Sequence, residues 1–420
     1  MDKKILWLSD SIVTTTGYST ISLNVLNGLV DSGWIADKLS HNYIGQTLPP
    51  GGIKMFDGTT NKFSIHGLGK QPYCADLIMP KIQKLRPDVF GVLLDTFMVF
   101  PWFLNLNFSP AYSVFYFPSD GGGGMPLGCE QILRKVNLPI AMSLFAQKQV
   151  KDYYNINTEY IPHAVNTKIF YRMLDEDRQK IKAERGLFGK FVIGCVTRNQ
   201  GRKMVDRLIK IFAKFAKGKN DVVLFLHTDP MDAAAVFSLP DMIRRYNLEN
   251  KVLFTGLTFT DTFPYSEMLK VYNCMDVFLL PTSGEGFGIP IIEAMACGIP
   301  PLVTDYTTTP ELLKLNGICG RPIKLRNCED IDMYELMFEK NMNMKEIDIL
   351  QDPGTLTGNW NVERGICDII DGVNGLEEYY QNRETIKQHG DIGVEKVKKY
   401  YSWDIVIPMW DKILTELINR

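Results

Sequence analysis

Two carboxylates, Glu285 and Glu293, stand with seven residues between them in the segment Gly284-Glu285-Gly286-Phe287-Gly288-Ile289-Pro290-Ile291-Ile292-Glu293. A carboxylate is a good acceptor for paired sugar hydroxyls, and the glycines allow backbone to approach a ligand closely. Pro290 suits the first turn of a helix. Glu293 then falls one turn in, near N–H groups that favour an anion. The plain alternative is a solvated loop carboxylate at 285 and a helix-stabilising one at 293, because acidic groups are favourable at a helix start in any case.

Arg198 and Lys203 lie in Thr197-Arg198-Asn199-Gln200-Gly201-Arg202-Lys203, after an apolar run. A guanidinium can hold two phosphate oxygens at once and an ammonium adds a point charge, so the pair suits a diphosphate. A solvated basic turn is the competing reading. No metal site is expected. Asp330-Ile331-Asp332 falls in an irregular stretch and Asp175-Glu176-Asp177 in a helix-prone linker, and both read as solvated charge. The eight cysteines include no Cys-x-x-Cys pair and match no zinc spacing, so buried free thiols in a reducing compartment are expected.

These residues need elements to position them. Lys4–Leu8 reads as a buried strand and Ser19–Val30 as a helix, with Gly17 in the loop between them. Leu77–Leu85 is a further helix. Apolar runs at 87–94, 112–117, 139–144 and 158–161 read as parallel strands. A second alternation follows: strands at 191–196, 222–227, 252–255, 276–280 and 301–303, with helices at 205–216, 240–246, 266–273 and 290–297. Short connections of this kind build parallel sheets. At 420 residues, two domains are expected. Their bounds are 1–165 and 185–400, with a helix at 403–420 whose apolar face needs a docking surface. The polar stretch 325–360 reads as an insertion. Phe97–Phe108 is aromatic-rich and reads first as core, with an acceptor groove or a lipid contact as the alternative. A net charge of −2 gives no support for nucleic-acid binding. The N-terminal apolar stretch is too short for a secretory signal, and no run suits a membrane span. A cytoplasmic protein, at most peripheral to a membrane, is expected.

The segment Asp276-Val277-Phe278-Leu279-Leu280-Pro281-Thr282-Ser283 through Glu293-Ala294-Met295-Ala296-Cys297-Gly298-Ile299-Pro300 closely resembles the donor site of family 4 glycosyltransferases of the GT-B fold. Glu285 and Glu293 have that family's spacing, and Arg198 and Lys203 match its arginine–lysine pair. Tyr160-Ile161-Pro162-His163-Ala164-Val165-Asn166 resembles the signature that ends the first domain, with His163 and Ala164 departing from it. Tyr401-Ser402-Trp403-Asp404 resembles the C-terminal signature. The likeness is weaker over 30–110 and absent over 325–360.

The resemblance implies an α/β protein of GT-B architecture: two Rossmann-like α/β/α domains facing a central cleft, with the last helix crossing back to the first domain. It implies metal-independent hexosyl transfer with retention and no cofactor, the donor being a GDP- or UDP-linked sugar. Arg198 and Lys203 would bind the diphosphate and stabilise the leaving group, Glu285 the transferred sugar, and Glu293 the ribose. Backbone at Gly286, Phe287 and Gly288 would hold sugar and phosphate, and Gly17 would let the first domain approach the phosphates. Many family members place an acceptor-side histidine where Tyr116-Phe117-Pro118-Ser119-Asp120-Gly121 stands here. Asp120 is the substitute, as acceptor-orienting group or base, with a turn aspartate as the alternative. His163 reads as structural. GDP-mannose is favoured over UDP-glucose, with no decisive residue. A glycan, lipid or protein acceptor is open, as is the oligomeric state. The competing functions are a sugar-nucleotide epimerase, a glycosidase using two carboxylates and a non-catalytic sugar-nucleotide-binding protein. A dinucleotide oxidoreductase is disfavoured by the position and spacing of the glycines.

Overall fold

A computed structural model describes residues 2–13, 16–43, 45–54, 59–67, 69, 71–232, 235–256, 263–326, 355–357 and 362–420. Contacts divide the chain into two units: residues 1–119, 123–164 and 400–420, and residues 120–122 and 165–399. The linker stretch after 165 thus goes with the second unit. Its helix Asp175–Glu184 carries Lys182, which donates to both Asp276 oxygens at 2.9 and 2.8 Å.

In the first unit the described strands are β1 (Lys3–Asp10), β2 (Trp34–His41), β3 (Ser64–His66), β4 (Val89–Leu93), β5 (Tyr112–Phe117), β6 (Leu138–Ala141) and β7 (Glu159–Tyr160). They form one parallel sheet in the order β3-β2-β1-β4-β5-β6-β7. Thr16 caps the helix Gly17–Asp31 by accepting from the Ser19 amide at 3.1 Å, the usual device for an orphan N–H at a helix start. The aromatic stretch goes into the core. Val99, Trp102, Phe103 and Phe108 are buried, and the Phe108 ring sits 5.0 Å from Phe90 and 4.8 Å from Phe103.

The C-terminal helix Trp403–Ile418 packs on this unit. Trp410 is fully buried, edge-on to Trp7 at 5.6 Å and to Tyr116 at 4.9 Å. Its neighbour Asp411 accepts from Lys3 and from the Trp34 indole, both at 2.7 Å. The apolar face read from the sequence therefore has its docking surface here.

β2 also buries a lysine. Lys38 is fully inaccessible and donates to the Asp10 carbonyl at 2.6 Å. Burial, opposed by Asp10 and Cys74, brings its pKa from 10.5 down to about 7. Between those two values the unfolded chain holds more protons than the folded one, so this group makes stability rise with pH across that window. Lys38→Met, of similar length without the charge, is expected to raise the melting temperature more at pH 6 than at pH 9. An identical shift at the two pH values would count against a buried, deprotonating Lys38.

The described strands of the second unit are β8 (Phe191–Val196), β9 (Val222–His227), β10 (Val252–Phe254), β11 (Val277–Leu280), β12 (Pro301–Thr304), β13 (Arg321–Ile323), β14 (Thr355–Thr357) and β15 (Glu363–Gly365). The first six form a second parallel sheet, β10-β9-β8-β11-β12-β13. β8 and β11 are continuously buried, as expected of strands covered on both faces. β14 and β15 pair antiparallel. Of the stretch 325–360, only 325, 326 and 355–357 are described.

Candidate active site

The order of the second sheet explains why distant residues meet. The strand order, not the strand direction, reverses between β8 and β11, which are parallel hydrogen-bonded neighbours. At such a switch point the two following loops part and leave a crevice at the carboxyl ends of the strands. The loop after β8 carries Arg198, Arg202 and Lys203. The loop after β11 carries Thr282 to Gly288.

Lys203 sits at the end of a short turn of 3-10 helix, Gly201–Lys203. Its ammonium donates to both Glu285 oxygens, at 2.6 and 2.9 Å. The two side chains are buried, with 13% and 5% exposure. Burial alone would raise the Glu285 pKa. Lys203 and Arg202, with the Thr282 hydroxyl, outweigh it and hold the carboxyl at about 2. Burial lowers the Lys203 pKa, against the pull of Glu285. The main chain of Glu285 is fixed as well: its amide donates to Thr307 Oγ1 at 2.9 Å and its carbonyl accepts from Thr308 Oγ1 at 2.8 Å.

Gly288, at φ 100°, turns the chain into the helix Ile289–Ala296, with Pro290 in its first turn. Phe287 is buried. Glu293 is half-buried, and its Oε2 accepts from the Tyr272 hydroxyl at 2.6 Å. Burial pushes its pKa up to about 7, opposed by that hydrogen bond. The two glutamates therefore differ: Glu285 is an ion held by cations, and Glu293 is poised to change charge near neutrality.

Arg198 is held by a bidentate pair to Asp232, at 2.9 and 3.0 Å, with Asp232 buried beneath it. Asp120 clusters with this second unit rather than with the first half of the chain that carries it. Its Oδ2 lies 3.2 Å from Arg202 Nε and its Oδ1 3.1 Å from Arg364 Nη1. Arg202, Asp232, Thr307, Thr308, Tyr272 and Arg364 were not singled out from the sequence. Only Arg202, beside Lys203, carried a local signal.

Gly17 lies in the first unit, where it opens the helix Gly17–Asp31 after β1. His163 is buried there, with Nδ1 2.8 Å from the Tyr116 hydroxyl, which itself donates to the Ile161 carbonyl. Burial drops the His163 pKa to about 3. It is a neutral packing residue, as read. Cys74, Cys129, Cys195, Cys274, Cys297, Cys319 and Cys367 are free and buried. Cys328 and Asp330-Ile331-Asp332 lie outside the described residues. Among the described residues, no three His, Cys, Asp or Glu side chains are grouped to hold a metal ion. Nor is any helix there long and apolar enough to cross a membrane.

Residues 177–333 match the model of the family described as glycosyl transferases group 1. Among curated proteins, the mannosylfructose-phosphate synthase of Agrobacterium fabrum is 28% identical over 41% of this chain and 38% of its own length. The lipopolysaccharide core biosynthesis mannosyltransferase LpsB of Rhizobium meliloti is 26% identical over 43% of this chain and 49% of its own. The chain thus spans less than half the length of either relative. Among solved structures, sucrose-phosphate synthase from Thermosynechococcus elongatus superposes with a TM-score of 0.74 at 15% identity, over 99% of both chains. The family's model thus falls on the unit that holds Lys203 and Glu285, and the two parallel α/β units have the GT-B fold.

Proposed function

We infer that this protein transfers a hexose from a nucleotide-diphosphate sugar, GDP-mannose in preference to UDP-glucose, to a glycan, lipid or protein acceptor with retention at the anomeric carbon. The observation that carries the reading is the buried Lys203–Glu285 pair at the β8/β11 switch point. An ammonium has three N–H groups, and the Glu285 oxygens take two. The third is available to a phosphate. Arg202 lies 3.2 Å from Glu285 Oε2, and Arg198 stands on the same loop after β8. Cations held at this point stabilise charge growing on a departing diphosphate.

In this reading Arg198 and Lys203 hold the diphosphate, Glu285 the transferred sugar and Glu293 the ribose. The backbone at Gly286, Phe287 and Gly288 lines the sugar and phosphate, and Asp120 serves the acceptor side. The C1–O bond breaks with its electron pair going to the diphosphate, the acceptor oxygen bonds C1 on the same face, and its proton passes to the departing phosphate oxygen. The preference for mannose rests on the mannosyl relatives named above. Titration calorimetry with GDP, UDP and ADP, followed by turnover of GDP-mannose with and without candidate acceptors, tests it. Tighter UDP binding would replace the donor, an inverted anomeric centre would remove retention, and epimerised nucleotide sugar formed without acceptor would overturn transfer altogether.

Glu293 gives a pH test. Below about pH 7 its carboxyl is protonated, and above that it is an ion able to accept from both ribose hydroxyls. KM for the nucleotide sugar should fall as pH rises from 6 to 8. Glu293→Gln should flatten that dependence and raise KM at pH 8 by about tenfold, the worth of one charged hydrogen bond. The nucleotide sugar is the proper ligand here, because the terminal phosphate of a free nucleoside diphosphate titrates in the same range. An unchanged pH profile in Glu293→Gln would remove Glu293 from the ribose.

A further inference from the structure

We propose that Arg202 is a positioning residue for Glu285: with Asp120 and Arg364 it fixes the Gly284–Glu285 loop, and it is not itself a phosphate ligand. This rests on the donor-site reading above.

Arg202 is fastened to the donor loop from both ends. Its main-chain carbonyl accepts from the Ser283 amide at 2.8 Å, from Ser283 Oγ at 3.0 Å and from Thr282 Oγ1 at 3.3 Å. Its side chain returns to the same loop, where Nη1 donates to the Gly284 carbonyl and lies 3.2 Å from Glu285 Oε2. The Nε edge of the same guanidinium faces Asp120 Oδ2 at 3.2 Å.

Asp120 passes the restraint on. Its other oxygen lies 3.1 Å from Arg364 Nη1, which also donates to the Asp120 carbonyl. Arg364 belongs to β15, and β15 is bonded on two sides. The Gly365 amide donates to the Ser283 carbonyl at 2.9 Å, and Glu363 exchanges backbone hydrogen bonds with Gly122 at 2.9 and 3.1 Å. The bonds therefore close a ring, from Arg202 to Gly284–Glu285, back along the loop to Ser283, across to Arg364, on to Asp120 and to Arg202 again. A closed polar ring is lost as a unit rather than bond by bond.

The chemistry of the two neighbouring cations differs accordingly. Lys203 gives a point charge to one carboxylate, whereas the Arg202 fork has fixed directions already set on a carbonyl and two carboxylates. A lysine at 202 could satisfy one of these acceptors but could not hold all of them at their present angles.

The test compares Arg202→Lys, Arg202→Gln, Asp120→Asn, Arg364→Gln and the Asp120→Asn/Arg364→Gln double variant in the full chain. Three quantities are read: affinity for GDP and UDP, kcat for sugar transfer, and amide hydrogen exchange of residues 283–286. Arg202→Lys and Arg202→Gln should keep nucleotide affinity within about threefold while kcat falls roughly 100-fold, the scale of a misplaced catalytic group. Exchange at 283–286 should accelerate in each variant, and the double variant should be no worse than the poorer single one. A tenfold or greater loss of nucleotide affinity at retained kcat would make Arg202 a phosphate ligand and overturn the proposal, as would unchanged exchange at 283–286. A wild-type protein that binds no nucleotide and turns over no nucleotide sugar would overturn the donor-site reading instead, and the exchange measurement would still decide the clamp.

Discussion

Lys203→Ala is expected to weaken nucleoside diphosphate binding by about 1.5–3 kcal/mol, the usual worth of a charged hydrogen bond. It should also destabilise the protein. Removing one member of a buried ion pair costs about 3–5 kcal/mol where the survivor is left unpaired. Here the survivor keeps Arg202 at 3.2 Å, so the lower end of that range or less is expected. The pH dependence identifies the cause. The folded-state pKa of Glu285 is about 2 against an ordinary 4.5. A depressed carboxyl adds stability that is fully present above the unfolded value and lost as pH falls through the folded one. Lys203→Ala removes much of that depression, so the difference from wild type should be large at pH 6 and shrink toward pH 3. Denaturant titrations at the two pH values, with calorimetry for the nucleotide, measure both effects. Full nucleotide affinity in the variant would contradict the diphosphate role of Lys203. A stability loss independent of pH would contradict its electrostatic hold on Glu285.

Most strands of both sheets were legible because parallel strands covered on both faces must be continuously apolar; the short edge strands β3 and β13 were not read. Residues 112–117, 191–196 and 222–227 were read at the bounds the structure gives. β2 was not read, since Asp37, Lys38, Ser40 and His41 break the apolar run, and its burial depends on neighbours far along the chain. The helices Ile369–Gln381 and Arg383–Tyr400 were missed for a different reason. Their contact faces use glycine: a Cβ at Gly372 would lie 2.7 Å from Ile211, and one at Gly390 would lie 2.3 Å from the Gly298 carbonyl. A stripe of small residues leaves no hydrophobic periodicity to find.

The candidate site divides in the same way. Glu285, Glu293, Arg198 and Lys203 carried a spacing, and the sheet order accounts for the meeting of Lys203 with Glu285. The partners that hold them did not. Asp232 anchors Arg198 from 34 residues away, and Arg364 reaches the Asp120 carbonyl from 244 away. No local pattern encodes such a pair. Asp120 shows the consequence. Read from its place in the chain it faces the acceptor, yet its contacts set both carboxylate oxygens against arginines beside the donor loop. Those contacts make it part of the frame around Glu285, whatever it does for the acceptor.

Gly284→Ala is expected to be the most damaging single methyl group in this site. A Cβ built there would lie 2.0 Å from the Asp120 carbonyl oxygen, 3.0 Å from its carbon and 3.4 Å from Thr307 Cγ2. The first two are backbone atoms with no rotamer to escape into, so either residues 120–122 or the donor loop must move. Moving the loop displaces Glu285 from Lys203. Moving residues 120–122 breaks the Gly122–Glu363 bonds and pulls Asp120 from Arg202 and Arg364. A displacement of about 1 Å at a reacting group costs on the order of 100-fold in rate, and kcat/KM for transfer should fall by at least that factor. The rest of the fold should persist, because both moving segments are loops outside the sheets. Gly218→Ala is the control: it also asks alanine for a positive φ, 74°, but its Cβ would meet nothing within 4 Å. It should cost only about 1 kcal/mol of stability, the scale of a left-handed non-glycine residue, and no activity. If Gly284→Ala instead retained transfer within a few-fold of wild type, the close approach of the Asp120 backbone would have no part in the working site.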